Sequence, residues 1–549
     1  MSLLYTVLKT HKLALIQMLI LTMISSLFGT GILMFINSKL LNVQSQFNHI
    51  LWQFVLMLVV YLLVATLAQI TLTNLGHTFV YELRKQFIKR IMDTDFEHIQ
   101  RLGKAKIMAS ITNDILSITH AFVRLPELLQ GGVFVLCASI YLFLLSPSLF
   151  AVTGVWIVAT LIGGHWTVKK VYAHLNIMRG KHNQLQQHYE SVLDGHKELV
   201  LNRYRAQHFY DVTFDQDAKI HKHHIARADH YHAFAGNWTN VMMLGAVGFI
   251  LYLSIYHGWA SIPDAITIAL AVLFIRTPLI SAIGAFPTFL QGKISLKAIE
   301  QLQLSIFEPD FNHQNTLFDQ WQSIEFKGVC YRYGKNKETG SAFSVGPIDF
   351  TLNRGETIFL IGANGSGKST LSMLLTGLYQ PLTGSILVDQ QTVNQDNIFA
   401  YRSLFSSVFT DFHLFNQLLD GLGQDVSEEL IEQWLNSLQL TQKVQIKNQV
   451  ILNPNLSQGQ RKRLALLSAA LEQKSILVLD EWAADQDPYF RQIFYEQLLP
   501  ILRNQGHTVF AISHDDKYFK HADRIVKMDQ GKFYSVSEKS IKHSFENGS

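Results

Sequence analysis

Residues 360–370 read LIGANGSGKST, and the spacing of this stretch decides the fold of half the chain. Gly362, Gly367, Lys368 and Ser369 fit G-x-x-x-x-G-K-S/T. The apolar run ETIFLIG (356–362) reads as a strand entering the loop, and a helix follows, which is the context that separates this motif from a chance glycine turn. The small residues Gly362, Ala363, Asn364, Gly365, Ser366 and Gly367 let backbone N–H groups converge on phosphate oxygens. Lys368, Ser369 and Thr370 open the helix whose positive end favours those anions. Lys368 reaches the terminal phosphates, and the Ser369 hydroxyl offers an oxygen to Mg²⁺. A second stretch, SILVLDEWAADQD (475–487), follows 112 residues after Lys368, counted to Asp480. Four apolar residues ending in Asp480 form a strand whose tip meets the Mg²⁺ shell. Glu481 comes next, where a carboxylate can orient or deprotonate an attacking water.

Around these motifs the apolar runs are of strand length. SIEFKGVCYRYG (323–334), SILVLD and HTVFAISH (507–514) read as buried strands with helical segments between them. From about residue 305 onward the expectation is an α/β domain with a largely parallel core sheet.

The N-terminal half has another character. Hydrophobic residues make up 48% of the 549-residue chain and charged residues only 16%, against roughly 25% charged in average soluble proteins. A membrane-spanning helix needs about 20 mostly apolar residues. Six candidates fall at 13–36, 52–75, 127–146, 149–168, 235–256 and 264–288. The first is too long for a signal-peptide core and reads as a retained span. Connections after spans one, three and five are short and poor in Lys and Arg, and LSPS (145–148) is one of them. Those after spans two and four are long and basic, which keeps them in the cytoplasm with both termini. These long loops hold few Gly or Pro and read as spanning helices continuing as rods. The net charge of +4 argues against a nucleic-acid partner. Two cysteines, Cys137 and Cys330, make neither a disulfide framework nor a zinc site.

Between the two phosphate-site motifs lies LSQGQRKRLALL (456–467). Here the chain resembles the ATP-binding cassette (ABC) transporters, whose signature L-S-G-G-Q is matched except that Gln458 replaces a glycine. The resemblance implies that Ser457, Gly459 and Gln460, at a helix N-terminus, bind the γ-phosphate of ATP held by the opposite nucleotide domain. It also implies a switch role for His514, 33 residues after Glu481, and adenine stacking by Tyr333, with Tyr331 as rival. ADQD (484–487) occupies the place of a partner-touching loop that usually reads S-A-L-D. Glu481, His514 and Lys368 are thus the expected catalytic residues, with ATP and Mg²⁺ as cofactors. One phosphate loop and six spans per chain imply a homodimer. The implied architecture is a six-span α-helical transmembrane domain (1–308), a linker (309–322) and an α/β P-loop nucleotide-binding domain (323–549), the type IV exporter fold. Segments near 103–115 and 199–211 are expected to carry motion between the parts.

FVRLPEL (122–128), HHIARAD (223–229), LGAVGF (244–249), FIRTPLISAIGA (274–285), FSVGPI (343–348), VFTDFHLF (408–415) and DEWAADQDP (480–488) narrow the resemblance to the bacterial cyclic-peptide exporters of YojI type. That implies export of a peptide or peptide-like compound, of lasso-peptide, microcin or siderophore-related kind, across the cytoplasmic (inner) membrane, without cleavage of a leader. A broad drug or lipid exporter, a siderophore importer and a nucleotide-gated sensor are the alternatives. Glu481 and His514 argue against the last. In the sixth span Arg276 is costly in lipid unless it is paired or hydrated. It reads as facing a cargo cavity with Asn237, Trp238 and Asn240, or as an ion pair with Glu127. The histidine-rich stretch HKHHIARADHYH (221–232) reads as a polar rod surface, with metal binding or pH sensing as alternatives. Finally, Thr410 stands 42 residues after Lys368, where the resemblance puts a glutamine that touches Mg²⁺ and water. It is carried forward as the third Mg²⁺ candidate, beside Ser369 and Asp480.

Overall fold

The structure is a computed structural model that describes residues 12–41, 47–311, 317–333, 343–452 and 456–536. It divides into two units, one drawn from 1–92 and 103–304 and the other from 93–102 and 305–549.

The first unit is helical. Its long helices are α1 (Lys12–Phe35) and α2 (Phe47–Asp93). After a short α3 (Phe96–Leu102), which belongs to the second unit, come α4 (Ile115–Leu145), α5 (Pro147–Asp194), α6 (Asp215–His257) and α7 (Ile262–Glu300). Each covers one of the six expected spans. Among the described residues, four stretches are long and apolar enough to cross a membrane: Ile20–Leu40, Asn48–Asp93, Pro147–Asp194 and Arg203–His257. Gln130–Leu145 in α4 is apolar over a shorter run. The basic loops are helical continuations: α2 and α5 hold 47 and 48 residues, about 70 Å each at 1.5 Å per residue. That is about twice the hydrocarbon thickness.

Local chemistry sets the turns between these helices. The Ser146 hydroxyl accepts the Leu149 N–H at 3.4 Å with Pro147 in the first helical turn, so LSPS ends α4 and starts α5. Gly258, at φ 65°, closes α6, and Ser261 caps α7 through the Asp264 N–H. Hydroxyls within the helices bond back one turn, as Ser26 does to Thr22 O at 2.8 Å and Thr153 to Leu149 O at 2.8 Å, since lipid offers them no partner. Phe134, Ala138, Met243, Ala246, Ile268 and Val272 form a core where α4, α6 and α7 meet. Leu56, Leu62, Val155 and Leu244 point outward, as lipid-facing residues do.

The second unit holds twelve strands among its described residues: β1 (Ser323–Arg332), β2 (Ser344–Asn353), β3 (Thr357–Ile361), β4 (Thr383–Val388), β5 (Gln391–Thr392), β6 (Phe405–Val408), β7 (Ile446–Lys447), β8 (Val450–Ile451), β9 (Ile476–Asp480), β10 (Thr508–Ile512), β11 (Arg524–Asp529) and β12 (Lys532–Val536). The main sheet runs β12-β11-β3-β10-β9-β6 and is parallel except for β12. β9 and β10 are buried along their whole length, as strands covered on both faces must be. SIEFKGVCYRYG does not join this sheet. It forms β1 of a separate antiparallel sheet, β2-β1-β4-β5, and its burial alternates because one face is covered. Of the stretch expected to be linker, residues 312–316 lie outside the description. Phe318 and Trp321 are buried in the core that also holds Ile324 and Phe326 of β1.

The membrane-side segment that packs in the second unit is α3. The Tyr379 hydroxyl donates to Gln100 Oε1 at 2.6 Å, Arg402 meets Asp95 at 3.4 Å, and Phe96 lies against the Tyr379 ring. This segment ends just before the expected 103–115 stretch. Gly103, at φ 79°, breaks the helix there, and 103–115 belongs to the first unit. The 199–211 segment also belongs to the first unit, where Leu201 and Tyr204 are 87% and 88% exposed.

Leu479 in β9 is 1% exposed. Leu479→Ala is expected to destabilise the second unit by about 2–5 kcal/mol. An unchanged thermal midpoint in scanning calorimetry would contradict the register of β9.

Candidate functional site

The parallel register brings the candidate residues to one edge. Leu360 of β3, Ile512 of β10 and Asp480 of β9 lie abreast, and Val408 of β6 pairs with Leu479. The residues that follow, Gly362, His514, Glu481 and Thr410, therefore leave the sheet at its carboxyl edge, where open α/β sheets bind ligands.

The phosphate loop wraps its own lysine. Lys368 is 5% exposed, and Nζ donates to Gly362 O at 2.8 Å and Ala363 O at 3.1 Å. Burial pushes the ammonium below its usual value, while Glu481 and Asp480 act the other way. Two glycines are required by geometry. Gly362, at φ 148°, has no room for a Cβ beside Met528 O. At Gly367, φ 106°, a Cβ would fall 2.9 Å from Val345 Cγ2. Lys368 then begins α8 (Lys368–Leu375).

Asp480 is 2% exposed, and its Oδ1 finds no hydrogen-bond partner among the described residues. Burial pushes its carboxyl up, a hydrogen bond from the Ser369 hydroxyl opposes this, and Glu481 adds to the rise. A buried oxygen without a partner costs about 1–3 kcal/mol. A cation beside Ser369 would remove that cost, so the donor set fits Mg²⁺, which takes one carboxylate, a hydroxyl and phosphate oxygens. Among the described residues no group of three His, Cys, Asp or Glu side chains could hold a metal by protein ligands alone. Thr410 is exposed in the turn that follows β6.

Glu481 adopts a left-handed backbone, φ 49° and ψ 35°. Its carboxylate lies 3.3 Å from His514 Nε2 and 3.9 Å from Lys368 Nζ. The two tyrosines separate. Tyr331 is buried and stacked on Tyr379 at 4.8 Å, and burial and Glu97 raise its pKa. β1 ends at Arg332, so Tyr333 turns outward, 37% exposed, with its hydroxyl 3.1 Å from Thr370 Oγ1.

The signature stretch opens α9 (Gln458–Leu471). Ser457 caps it: its hydroxyl oxygen accepts the Gln460 N–H at 3.3 Å, and Gln460 Oε1 accepts the Ser457 N–H at 3.0 Å. Gln458 is the first helical residue, a position that needs no glycine. Its amide donates to Asp485 Oδ2 at 3.3 Å. A Cβ at Gly459 would lie 3.2 Å from Asp485 O, a tight contact. Asp487 caps α10 (Pro488–Ile493); the Phe490 N–H and Arg463 hold its carboxyl below the usual range. The residues that sequence reasoning passed over are Lys462, Arg463 and Asp485. For Lys462 and Arg463 the signal was a basic pair set among the apolar residues of α9.

In the first unit, the Arg276 guanidinium donates to Asn240 Oδ1, so two of the expected cavity residues meet across α7 and α6. Trp238 donates to Thr160 O at 3.3 Å and packs on Gly163 of α5, and Asn237 is exposed. The Glu127 side chain lies outside the described residues. A separate cavity of about 610 Å³ is lined by Ser26, Gly29, Tyr61, Gln130, Phe134 and Phe274, from α1, α2, α4 and α7. In the histidine-rich stretch, His224 Nδ1 meets His174 Nδ1 of α5 at 3.0 Å.

A phosphate loop on a parallel sheet, fused to helices that cross a membrane, defines a nucleotide-driven membrane protein. Residues 345–484 match the ABC transporter family and residues 12–279 the ABC transporter transmembrane region. The chain is 34% identical over 471 residues to ATP-binding protein SyrD of Pseudomonas syringae pv. syringae, covering 82% of this chain and 81% of that one. It is 25% identical to the ATP-dependent lipid A-core flippase of Alkalilimnicola ehrlichii, over 84% and 80% of the two chains. A bacterial Atm1-family ABC exporter solved with ATP bound shares the fold, with a TM-score of 0.75 at 17% identity over 98% and 97% of the chains. The chain therefore belongs to the ABC transporters. It is a half-transporter of exporter fold, with one transmembrane and one ATP-binding part.

Tyr333→Ala is expected to weaken ATP binding by about 1–3 kcal/mol, roughly 5- to 150-fold in Kd. Tyr331→Ala is expected to lower thermal stability instead. Equilibrium binding with a fluorescent ATP analogue separates the two, and a larger affinity loss in Tyr331→Ala than in Tyr333→Ala would reverse the expectation.

Proposed function

We propose that the protein is an ATP-hydrolysing exporter that works as a homodimer in the bacterial cytoplasmic membrane, with its termini in the cytoplasm, and carries a peptide or peptide-like compound outward. The observation that carries the hydrolytic reading is the Glu481 carboxylate, 3.3 Å from His514 and 3.9 Å from Lys368 at the end of β9.

In this reading the amides of Gly362–Thr370 and the Lys368 ammonium hold the triphosphate, and Tyr333 stacks on adenine. Ser369 and Asp480 hold Mg²⁺, which neutralises phosphate charge when bound. Glu481 orients the attacking water and takes its proton, and His514 fixes Glu481 and the γ-phosphate side of the site. Ser457, Gly459 and Gln460 complete the site of the second copy. Thr410 is too short to reach Mg²⁺ and water directly, so it acts through a bridging water. Arg276 and Asn240 serve carboxylate recognition in the cargo path.

Support for export comes from the exporter fold and from the similarity to the ATP-dependent lipid A-core flippase of Alkalilimnicola ehrlichii. That relative also favours a lipid as the second reading of the cargo. The peptide reading rests on the whole-length resemblance to cyclic-peptide exporters.

The test is transport into inverted membrane vesicles. ATP-dependent uptake of a labelled lasso peptide, and none of a labelled lipid, is expected; uptake only into right-side-out vesicles would sink the proposal. Glu481→Gln is expected to lower ATP turnover about 100-fold or more, read by phosphate release. Thr410→Gln is expected to change the coupling ratio of cargo moved to ATP hydrolysed. An unchanged ratio would leave that position without a mechanistic role.

A further inference from the structure

Glu481 sits in a backbone conformation that non-glycine residues adopt only when their surroundings impose it, at a cost of about 1–3 kcal/mol. The surroundings that impose it come from the signature helix. Lys462 of α9 is 3% exposed, and its ammonium donates to Glu481 O at 3.0 Å. Its own carbonyl accepts the indole N–H of the neighbouring Trp482 at 2.7 Å, and Trp482 is 1% exposed. One helical residue therefore grips Glu481 and Trp482 together. A buried ammonium needs a counter-charge. Asp485 supplies it, with Oδ2 2.7 Å from Lys462 Nζ. The same Oδ2 accepts the Gln458 amide at 3.3 Å.

Two of the positions at which this chain departs from the usual motifs thus touch. Gln458 stands where L-S-G-G-Q has glycine, and Asp485 where S-A-L-D has alanine. A glycine and an alanine make no such bond. The bonded chain Gln458–Asp485–Lys462–Glu481 runs from the exposed start of α9 to the backbone that aims the candidate water-orienting carboxylate.

We infer that Lys462, anchored by Asp485, is a positioning residue for Glu481, and that through it the signature helix of one ATP site sets the hydrolytic geometry of the chain's other site. This rests on the proposed role of Glu481. Lys462 is nearly buried, with its ammonium on Glu481 O and Asp485 Oδ2. It fixes the carbonyl of Glu481, and with it the left-handed turn that directs the carboxylate towards Lys368 and His514. The residue should therefore act on turnover and leave ATP affinity alone.

The experiment measures kcat and KM for ATP, together with the thermal midpoint, in the full-length protein reconstituted in lipid. The variants are Lys462→Met, Lys462→Arg and Asp485→Asn, with Glu481→Gln as reference. Lys462→Met is expected to lower kcat about tenfold or more with KM within twofold, and Lys462→Arg to recover part of the loss. Asp485→Asn keeps shape at a partly exposed position and tests the link without a buried cavity; a several-fold fall in kcat at unchanged KM is expected. Unchanged turnover in Asp485→Asn, or a fall in Lys462→Met that only tracks lost folded protein, overturns the inference. Full turnover in Glu481→Gln would instead remove the role of Glu481 on which the inference stands.

Discussion

The parallel pairing of β3, β10 and β9 is the constraint on which the rest of this molecule depends. Parallel strands with equal register end at one edge, and here Leu360, Ile512 and Asp480 form a single row. Glu481, more than a hundred positions away, is thereby delivered to 3.9 Å from Lys368. β9 and β10 are buried along their whole length, so a slip by one residue would exchange the side chains packed into the two covered layers. The loops beyond the edge are then free to be chemically specialised.

Charge at that edge is managed by burial. Two nearly buried lysines, Lys368 from the phosphate loop and Lys462 from the signature helix, bracket the Asp480–Glu481 pair. Each has its ammonium on backbone carbonyls and a carboxylate close by, which is how a buried ammonium is tolerated. Among the described residues Asp480 keeps an oxygen without a partner, a polar deficit that a divalent cation would relieve. The helical unit follows a simpler rule. Ser26 and Thr153 bond back one turn, leucine and valine side chains face outward, and the Arg276 guanidinium has an amide to hold.

Much of this was legible in the chain because the chemistry is local. The phosphate loop needs particular small residues at particular spacings, and β3 and β9 are unbroken apolar runs that end in the functional residues. The six helices were legible from apolar length alone. What could not be read depends on partners distant in sequence. SIEFKGVCYRYG has strand composition, but nothing local assigns it to an antiparallel sheet of its own. Tyr331 and Tyr333 look equivalent until β1 ends at Arg332 and sends one of them outward. The packing of α3 on Tyr379 and Arg402 joins residues about 280 to 310 positions apart. Lys462 reads as a surface lysine until Trp482, Asp485 and Glu481 close over it.

The central claim is that each hydrolytic site is built from the phosphate loop of one copy and the signature serine of another. Mixed dimers of Lys368→Ala and Ser457→Ala chains, carrying different affinity tags and purified through both, test it most directly by their ATP turnover. Each variant alone is expected to be inactive, while the mixed dimer holds one complete site and regains a substantial part of wild-type turnover. A mixed dimer as inactive as its parents would contradict the account.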